Sequence, residues 1–192
     1  MIPARQQDKE SILELLTNTF AENRSVLYLL KKRGKNKRIR QLMAYAFDIC
    51  FLFGKVYLSD DRTACALILF PDKKHFSLKS LLLDLRLIFT CIGLFHLRKA
   101  LRREAVIRKM QAVPVTEVYY LCFIGVNPAR QHQGIGGKLL DEIVQDSYRM
   151  NRKIYLETST ASNISWYIHH GLEQYAEFNF GYSLYFFKYR NG

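Results

Sequence analysis

The chain has 192 residues and a mass of 22.6 kDa, with 49% hydrophobic and 24% charged residues. That balance excludes a disordered or fibrous chain, and at this length one core buries roughly 70% of the unfolded surface without disulfide or metal staples. Lys and Arg number 29 against 17 Asp and Glu, a formal charge of +12 that favours anionic partners but says nothing about fold.

The first eight residues lack the apolar run of a signal peptide. Apolar residues at Ile12, Leu13, Leu15, Leu16 and Phe20 predict a helix over 11–20, with Ser11 and Glu14 at capping-box spacing. A basic run over 31–40 then leads into a helix over 41–53. Seven of the ten residues in that run are Lys or Arg, with no aromatic between them to stack bases, so a solvated helix start is the reading it favours.

Residues 55–58 and 63–70 read as strands joined by the turn Ser59-Asp60-Asp61-Arg62, the second closed by Pro71. Residues 76–111 are helical and mostly amphipathic, in two pieces meeting near Gly93. Residues 117–126 are apolar on both faces, as a central strand should be. An amphipathic helix follows over 138–150, with Leu139, Leu140, Ile143 and Val144 inward; a strand over 153–158 comes next. A short helix over 163–170 and two strands over 172–189, turning near Gly181, complete the chain. The alternation is that of an α/β (α+β) protein, one domain over 1–192, with an α-rich insertion before the central strand.

Cys50, Cys65, Cys91 and Cys122 show no Cys-x-x-Cys spacing and sit among apolar neighbours, which predicts buried free thiols in a reducing compartment. The apolar stretch over 42–53 is short, and that over 81–97 is broken by Asp84 and Arg86, whereas a spanning helix needs about 20 apolar residues. The expectation is a cytoplasmic protein with no membrane span.

The chemistry concentrates in 126–140, where a buried strand gives way to a polar loop and glycines open an amphipathic helix. Backbone N–H groups in such a loop converge on one point, and the helix start adds positive partial charge, together suiting a phosphate or pyrophosphate. Gly134 and Gly136 would let the backbone approach a ligand closely, or would simply make a tight strand-to-helix turn. Gly-x-x-x-x-Gly-Lys-Ser/Thr is absent, and Leu139 breaks any Gly-x-Gly-x-x-Gly.

Gln131-x-x-Gly134-x-Gly136 resembles the Gln/Arg-x-x-Gly-x-Gly/Ala signature of the GNAT superfamily of acetyl-CoA-dependent N-acetyltransferases. Downstream, Leu156-Glu157-Thr158-Ser159, then Asn163, Tyr167 and Gly171-Leu172, resemble that family's Leu-Glu-Thr-Ser strand and Asn-x-x-x-Tyr-x-x-x-Gly-Phe helix, most closely in the puromycin N-acetyltransferase branch. The resemblance covers 117–172 and is weak over the first 110 residues. It implies a GNAT fold: a mixed central sheet of about six to seven strands flanked by helices.

By that resemblance, acetyl-CoA is the cosubstrate and no metal is expected. The loop residues Gln131, His132, Gln133, Gly134, Ile135, Gly136, Gly137 and Lys138 would hold the coenzyme A pyrophosphate. Ile124, Gly125 and Val126 would bind the pantetheine arm through the strand backbone, an N–H near Ile124 polarising the thioester carbonyl. Asn163 would touch the same arm, and Tyr167 would protonate the departing thiolate or, alternatively, pack the last helix on the sheet. Gln131 and Gln133 stand where the family often has basic residues, a charge that Arg130, His132 and Lys138 could supply.

The general base stays open among Glu157, Glu117, His169, His170 and a water relay. The acceptor pocket is expected from 28–47, 63–70 and 175–180, with Tyr119 and Tyr120 on opposite faces of the central strand so that only one can line it. The expected activity is acetyl transfer from acetyl-CoA to a small-molecule primary amine by direct attack in a ternary complex. The alternative is a non-catalytic module of the same fold whose basic surface binds nucleic acid or acidic membrane. Nucleic acid is not the expected partner, and the oligomeric state is not legible.

Overall fold

Residues 118–126 lie at the centre of a seven-stranded mixed sheet in the computed structural model, which describes residues 1–31, 34–111 and 113–189. In chain order the elements are β1 (Ile2–Pro3), α1 (Lys9–Thr19), α2 (Arg24–Leu29), α3 (Lys35–Phe53), β2 (Gly54–Leu58), β3 (Ala64–Leu69), α4 (Leu78–Leu87) and α5 (Leu94–Met110). They continue as β4 (Val118–Val126), α6 (Ile135–Arg149), β5 (Lys153–Thr158), α7 (Asn163–His169), β6 (Leu172–Asn179) and β7 (Ser183–Tyr189). The strand order is β1-β2-β3-β4-β5-β7-β6, and only β4 and β5 run parallel. The expected strand content and the insertion of α4 and α5, broken at Gly93, are both present.

Three boundaries differ from the sequence reading. The first helix begins at Lys9, not Ser11, because it continues directly from the 3-10 turn Gln6–Asp8: the Asp8 carboxylate closes that turn by accepting the Arg5 N–H at 2.7 Å and Arg62 at 2.8 Å, while the Ser11 hydroxyl donates to the Asp8 carbonyl at 2.8 Å. Ser11 and Glu14 therefore form no capping box. The third helix absorbs part of the basic run, starting at Lys35 after Gly34. Arg40 in it pairs with Glu10 and Lys35 with Glu22, while Lys32 and Arg33 lie outside the described residues. The sixth helix starts three residues earlier than expected, at Ile135.

Two core layers sandwich the sheet. Ile12, Leu16, Met43 and Phe47 from α1 and α3 cover one face, and Leu139, Leu140 and Ile143 from α6, with Tyr167, cover the other. Cys50, Cys65 and Cys91 are buried free thiols, and Cys122 is half-buried.

Two irregularities in β4 shape what lies between the layers. Leu67 pairs with Phe123 and Ile68 with Leu121, so Cys122 is an extra residue in a β-bulge. The bulge resets the alternation, and Cys122 and Phe123 both pack on the α1–α3 side. The parallel ladder between β4 and β5 covers only Val118–Tyr120 against Lys153–Tyr155. Beyond Tyr120 the two strands part.

Candidate active site

The parting of the strands frees backbone groups. Asn127 N–H donates to Thr63 O at 2.8 Å across the β3–β4 ladder. Since ladder pairs alternate along an antiparallel pair, Cys65–Gly125 is the next bonded pair, and Ala64–Val126 and Ala66–Ile124 are not. Ala64 O, accordingly, accepts from Ser59 on its other side. The peptide groups of Ile124 and Val126 therefore face the gap where β5 has left. Val126 O is met there by the Thr19 hydroxyl at 3.1 Å and the Gln131 amide at 3.2 Å.

The loop after β4 is exposed from Asn127 to Gly134 and turns on two left-handed residues, His132 (φ 62°) and Gly134 (φ 76°). Lys138 N–H donates back to Gly134 O at 3.0 Å, so the N–H groups of the first turn of α6 have no helical acceptor and point out of its start. A Cβ on Gly136 would sit 3.1 Å from Val126 and 3.6 Å from the Trp166 ring, so a side chain there would crowd the strand end and α7. The residues fit an anionic ligand by geometry: open space around Gly134, unused N–H donors and a positive helix end. The turn between β2 and β3 adds a feature that sequence reasoning missed. Lys138 is paired with Asp60 at 2.9 Å and Arg130 lies 3.9 Å from Asp61, whose carboxyl is pulled down to about 2 by bonds from Ser59 and Thr63. Two cations expected to face phosphates are thus shared with carboxylates.

The gap opens into a cavity of about 240 Å³. Ile124, Glu157, Asn163 and Tyr167 line it from the sheet and α7, and Val26, Tyr45, Cys50 and Arg103 line it from α2, α3 and α5. Tyr167 is buried, with Phe187 and Trp166 rings at 5.2 and 4.8 Å, and burial and then the Glu157 charge push its hydroxyl up, which keeps it protonated. Asn23 ties the cavity wall to the end of β5: its side chain accepts the Val26 N–H at 3.1 Å and the Ser159 hydroxyl at 3.3 Å.

Glu157 sits on the cavity wall. It accepts the Tyr120 hydroxyl at 2.5 Å and pairs with Arg103 at 2.9 Å. Burial raises its carboxyl above the usual range, against the opposing pull of Arg103 and Tyr120. Of the two adjacent tyrosines, Tyr120 lines the cavity, while Tyr119 is fully buried on the other face and donates to Asp146 at 2.8 Å. Arg103 was invisible to the sequence reading, because a long insertion helix delivers it 54 residues before its partner.

Other candidates are not brought here. Glu117 lies before the closed end of β4, 43% exposed and paired with Lys153 at 3.3 Å, and does not line the cavity. His169 is exposed, and His170 bonds Asp141 at 2.7 Å beside α6. The hairpin over 175–180, expected in the acceptor pocket, instead packs with Tyr28, Tyr182 and Ile107 in a separate apolar cluster. Leu29, Leu42, Tyr45, Ala46 and Leu69 do line the cavity from the other two expected regions. Among the described residues no group of His, Cys, Asp and Glu could hold a metal ion.

Residues 81–171 match the acetyltransferase (GNAT) family. The seven-stranded mixed sheet flanked by helices is consistent with the GNAT fold. A Corynebacterium glutamicum structure described as histone acetyltransferase HPA2 and related acetyltransferase shares the fold with a TM-score of 0.68 at 15% identity, covering 97% of this chain and 93% of that one. The C-terminal condensation domain of Ebony, solved with beta-alanyl-dopamine, aligns with a TM-score of 0.70 at 10% identity over 97% and 96% of the two chains. The GNAT fold is shared also by yncA of Salmonella typhimurium, solved with its cofactor acetyl-CoA, at a TM-score of 0.58 and 14% identity over 97% and 90%. No curated protein matches the sequence.

Proposed function

We propose that the protein is an N-acetyltransferase that moves the acetyl group of acetyl-CoA onto a primary amine of a small-molecule acceptor within a ternary complex. One observation carries this reading: the peptide groups of Ile124 and Val126 face a gap that leads from the Gly134 loop into the cavity holding Tyr167 and Glu157. Bound acetyl-CoA would supply an activated thioester carbonyl. The N–H groups from Gln131 to Gly137 hold the phosphates, and the peptide group of Ile124 and the N–H of Val126, with Asn163, hold the pantetheine arm. The Ile124 N–H polarises the carbonyl, and the protonated Tyr167 gives its proton to the departing sulfur. Glu157, with its raised carboxyl, takes a proton from the acceptor ammonium, directly or through water.

A small acceptor is supported by the size of the cavity and by α2, α3 and α5 lining it on one side. The likeness of residues 156–172 to the puromycin N-acetyltransferase branch supports the same class. Calorimetric titration with acetyl-CoA, followed by a screen of amine acceptors, tests the reading. Gly134→Glu should abolish coenzyme binding by charge. Gly134→Ala carries the same left-handed strain without the charge and should retain it. Tyr167→Phe should lower turnover roughly 10²-fold with coenzyme binding nearly unchanged. Wild-type turnover in that variant would leave Tyr167 a packing residue.

A further inference from the structure

Helix α4 carries apolar residues on two opposite faces. Its inward side is held by buried Ser80 and by Asp84, which accepts the Tyr45 hydroxyl of α3 at 2.7 Å. On the outward side Leu78, Leu82 and Leu85, with Phe89 in the π-helical turn Ile88–Ile92 that continues α4, recur at intervals of four, three and four, one helical stripe, and are 71, 58, 40 and 65% exposed. Phe76, just before the helix, is 82% exposed. Phe51 and Leu52 extend the apolar surface from the neighbouring end of α3, where Phe53 meets the His75 ring at 5.1 Å. A contiguous exposed patch of this kind marks an interaction surface.

The charges around the stripe choose among occupants. Residues 71–110 contain ten Lys or Arg against three Asp or Glu. All three acids are engaged, Asp72 with Arg152, Asp84 with Tyr45 and Glu104 with Arg108. Lys79 and Arg86 run along one flank of the stripe and are exposed, while the other flank carries Leu81 and Ile88 and no carboxylate. A second copy docked on the same stripe would bring these cations together without an acid to meet them. The stripe is also convex and one helix wide, about 18 Å long at 1.5 Å per residue, against about 30 Å for a bilayer core. Among the described residues no single helix is long and apolar enough to cross a membrane. A short helix with an apolar face and flanking Lys and Arg suits the interface plane, its long cations reaching the headgroups.

We propose that α4 docks the protein on an anionic lipid surface, with Phe76, Leu78, Leu82, Leu85 and Phe89 entering the acyl boundary and Lys79 and Arg86 at the headgroups. The test is co-sedimentation of the full chain with phosphatidylcholine vesicles, neutral or containing about 30% phosphatidylglycerol, with the oligomeric state measured in parallel. Binding to the anionic vesicles should exceed that to neutral ones by about tenfold or more and weaken with salt. Leu82→Glu with Phe89→Glu should lower it by at least about tenfold while circular dichroism stays unchanged, since both residues are exposed. Lys79→Glu with Arg86→Glu should weaken anionic binding alone. Absence of vesicle binding, equal binding to both vesicle types, or full binding by the Leu82/Phe89 variant would overturn the proposal. A wild-type dimer abolished in that variant would give the stripe to a second copy instead.

Discussion

Asp146 on α6 and Glu157 on β5 are buried carboxylates served from one strand by neighbouring tyrosines, Tyr119 and Tyr120. Each also has a cation, Lys55 at 2.8 Å from Asp146 and Arg103 at 2.9 Å from Glu157. Their surroundings differ. Asp146 takes a further bond from Tyr57 at 3.2 Å, and its partners come from β2 and β4, the two strands that flank β3, filling the layer between sheet and helix. Glu157 faces the cavity, its cation arrives from the insertion, and the Arg103 Nε has no hydrogen-bond partner. A bonded buried carboxylate is thus not in itself a reactive group. Space beside it for a second reactant makes the difference.

Removing each carboxylate should separate the two uses. Asp146→Ala leaves the buried Tyr57 and Tyr119 hydroxyls without their acceptor, with half-buried Lys55 turning to water, and should cost about 1–3 kcal/mol in denaturant unfolding, while the folded fraction still binds acetyl-CoA. A loss below about 1 kcal/mol would mean that water takes over the network. Glu157→Gln keeps the shape and should instead lower turnover roughly 10²-fold. Because burial raises its folded pKa, Glu157 stabilises the fold fully below the ordinary carboxyl value of about 4.3 and loses that contribution as pH rises through the folded value. The Gln variant should therefore gain stability relative to the wild type across that rise, read from melting temperatures at a series of pH values. A pH-independent difference would mean that the carboxyl titrates no differently in the folded chain.

The half of the site that the sequence discloses is local. The run from Val126 to Leu140 and that from Leu156 to Leu172 encode strand, turn and helix within a few residues, and the glycines that shape the loop are adjacent in sequence. Arg103 and Cys50 reach the cavity from helices outside the expected regions, and no spacing predicts which face of a long amphipathic helix meets it. The same limit hides α4, since periodicity in 76–111 reveals a stripe but not whether anything covers it. The Ser11–Glu14 pattern misleads because a 3-10 turn ending at Asp8, held by Arg5 and by Arg62 54 residues away, starts the helix earlier and leaves the Ser11 hydroxyl bonded to the Asp8 carbonyl. Glu117 and Glu157 both belong to strand segments rich in apolar residues, and only the divergence of β4 from β5 separates them, one at the closed end and one in the opening.

The finest contrast lies between the tyrosines themselves. Tyr119→Phe removes a donor from a network that keeps Lys55 and Tyr57, and should cost about 1 kcal/mol of stability with turnover unchanged. Tyr120→Phe removes a bond that favours the ionised form of Glu157, so the carboxyl should rise further, by about one unit if the bond is worth about 1.4 kcal/mol. If Glu157 is the base, turnover depends on its ionised form, and the acid limb of the rate profile should move to higher pH in Tyr120→Phe and stay in place in Tyr119→Phe. A limb that stays in place in both variants would detach Glu157 from the proton transfer and leave its pair with Arg103 as a brace between the insertion and the sheet.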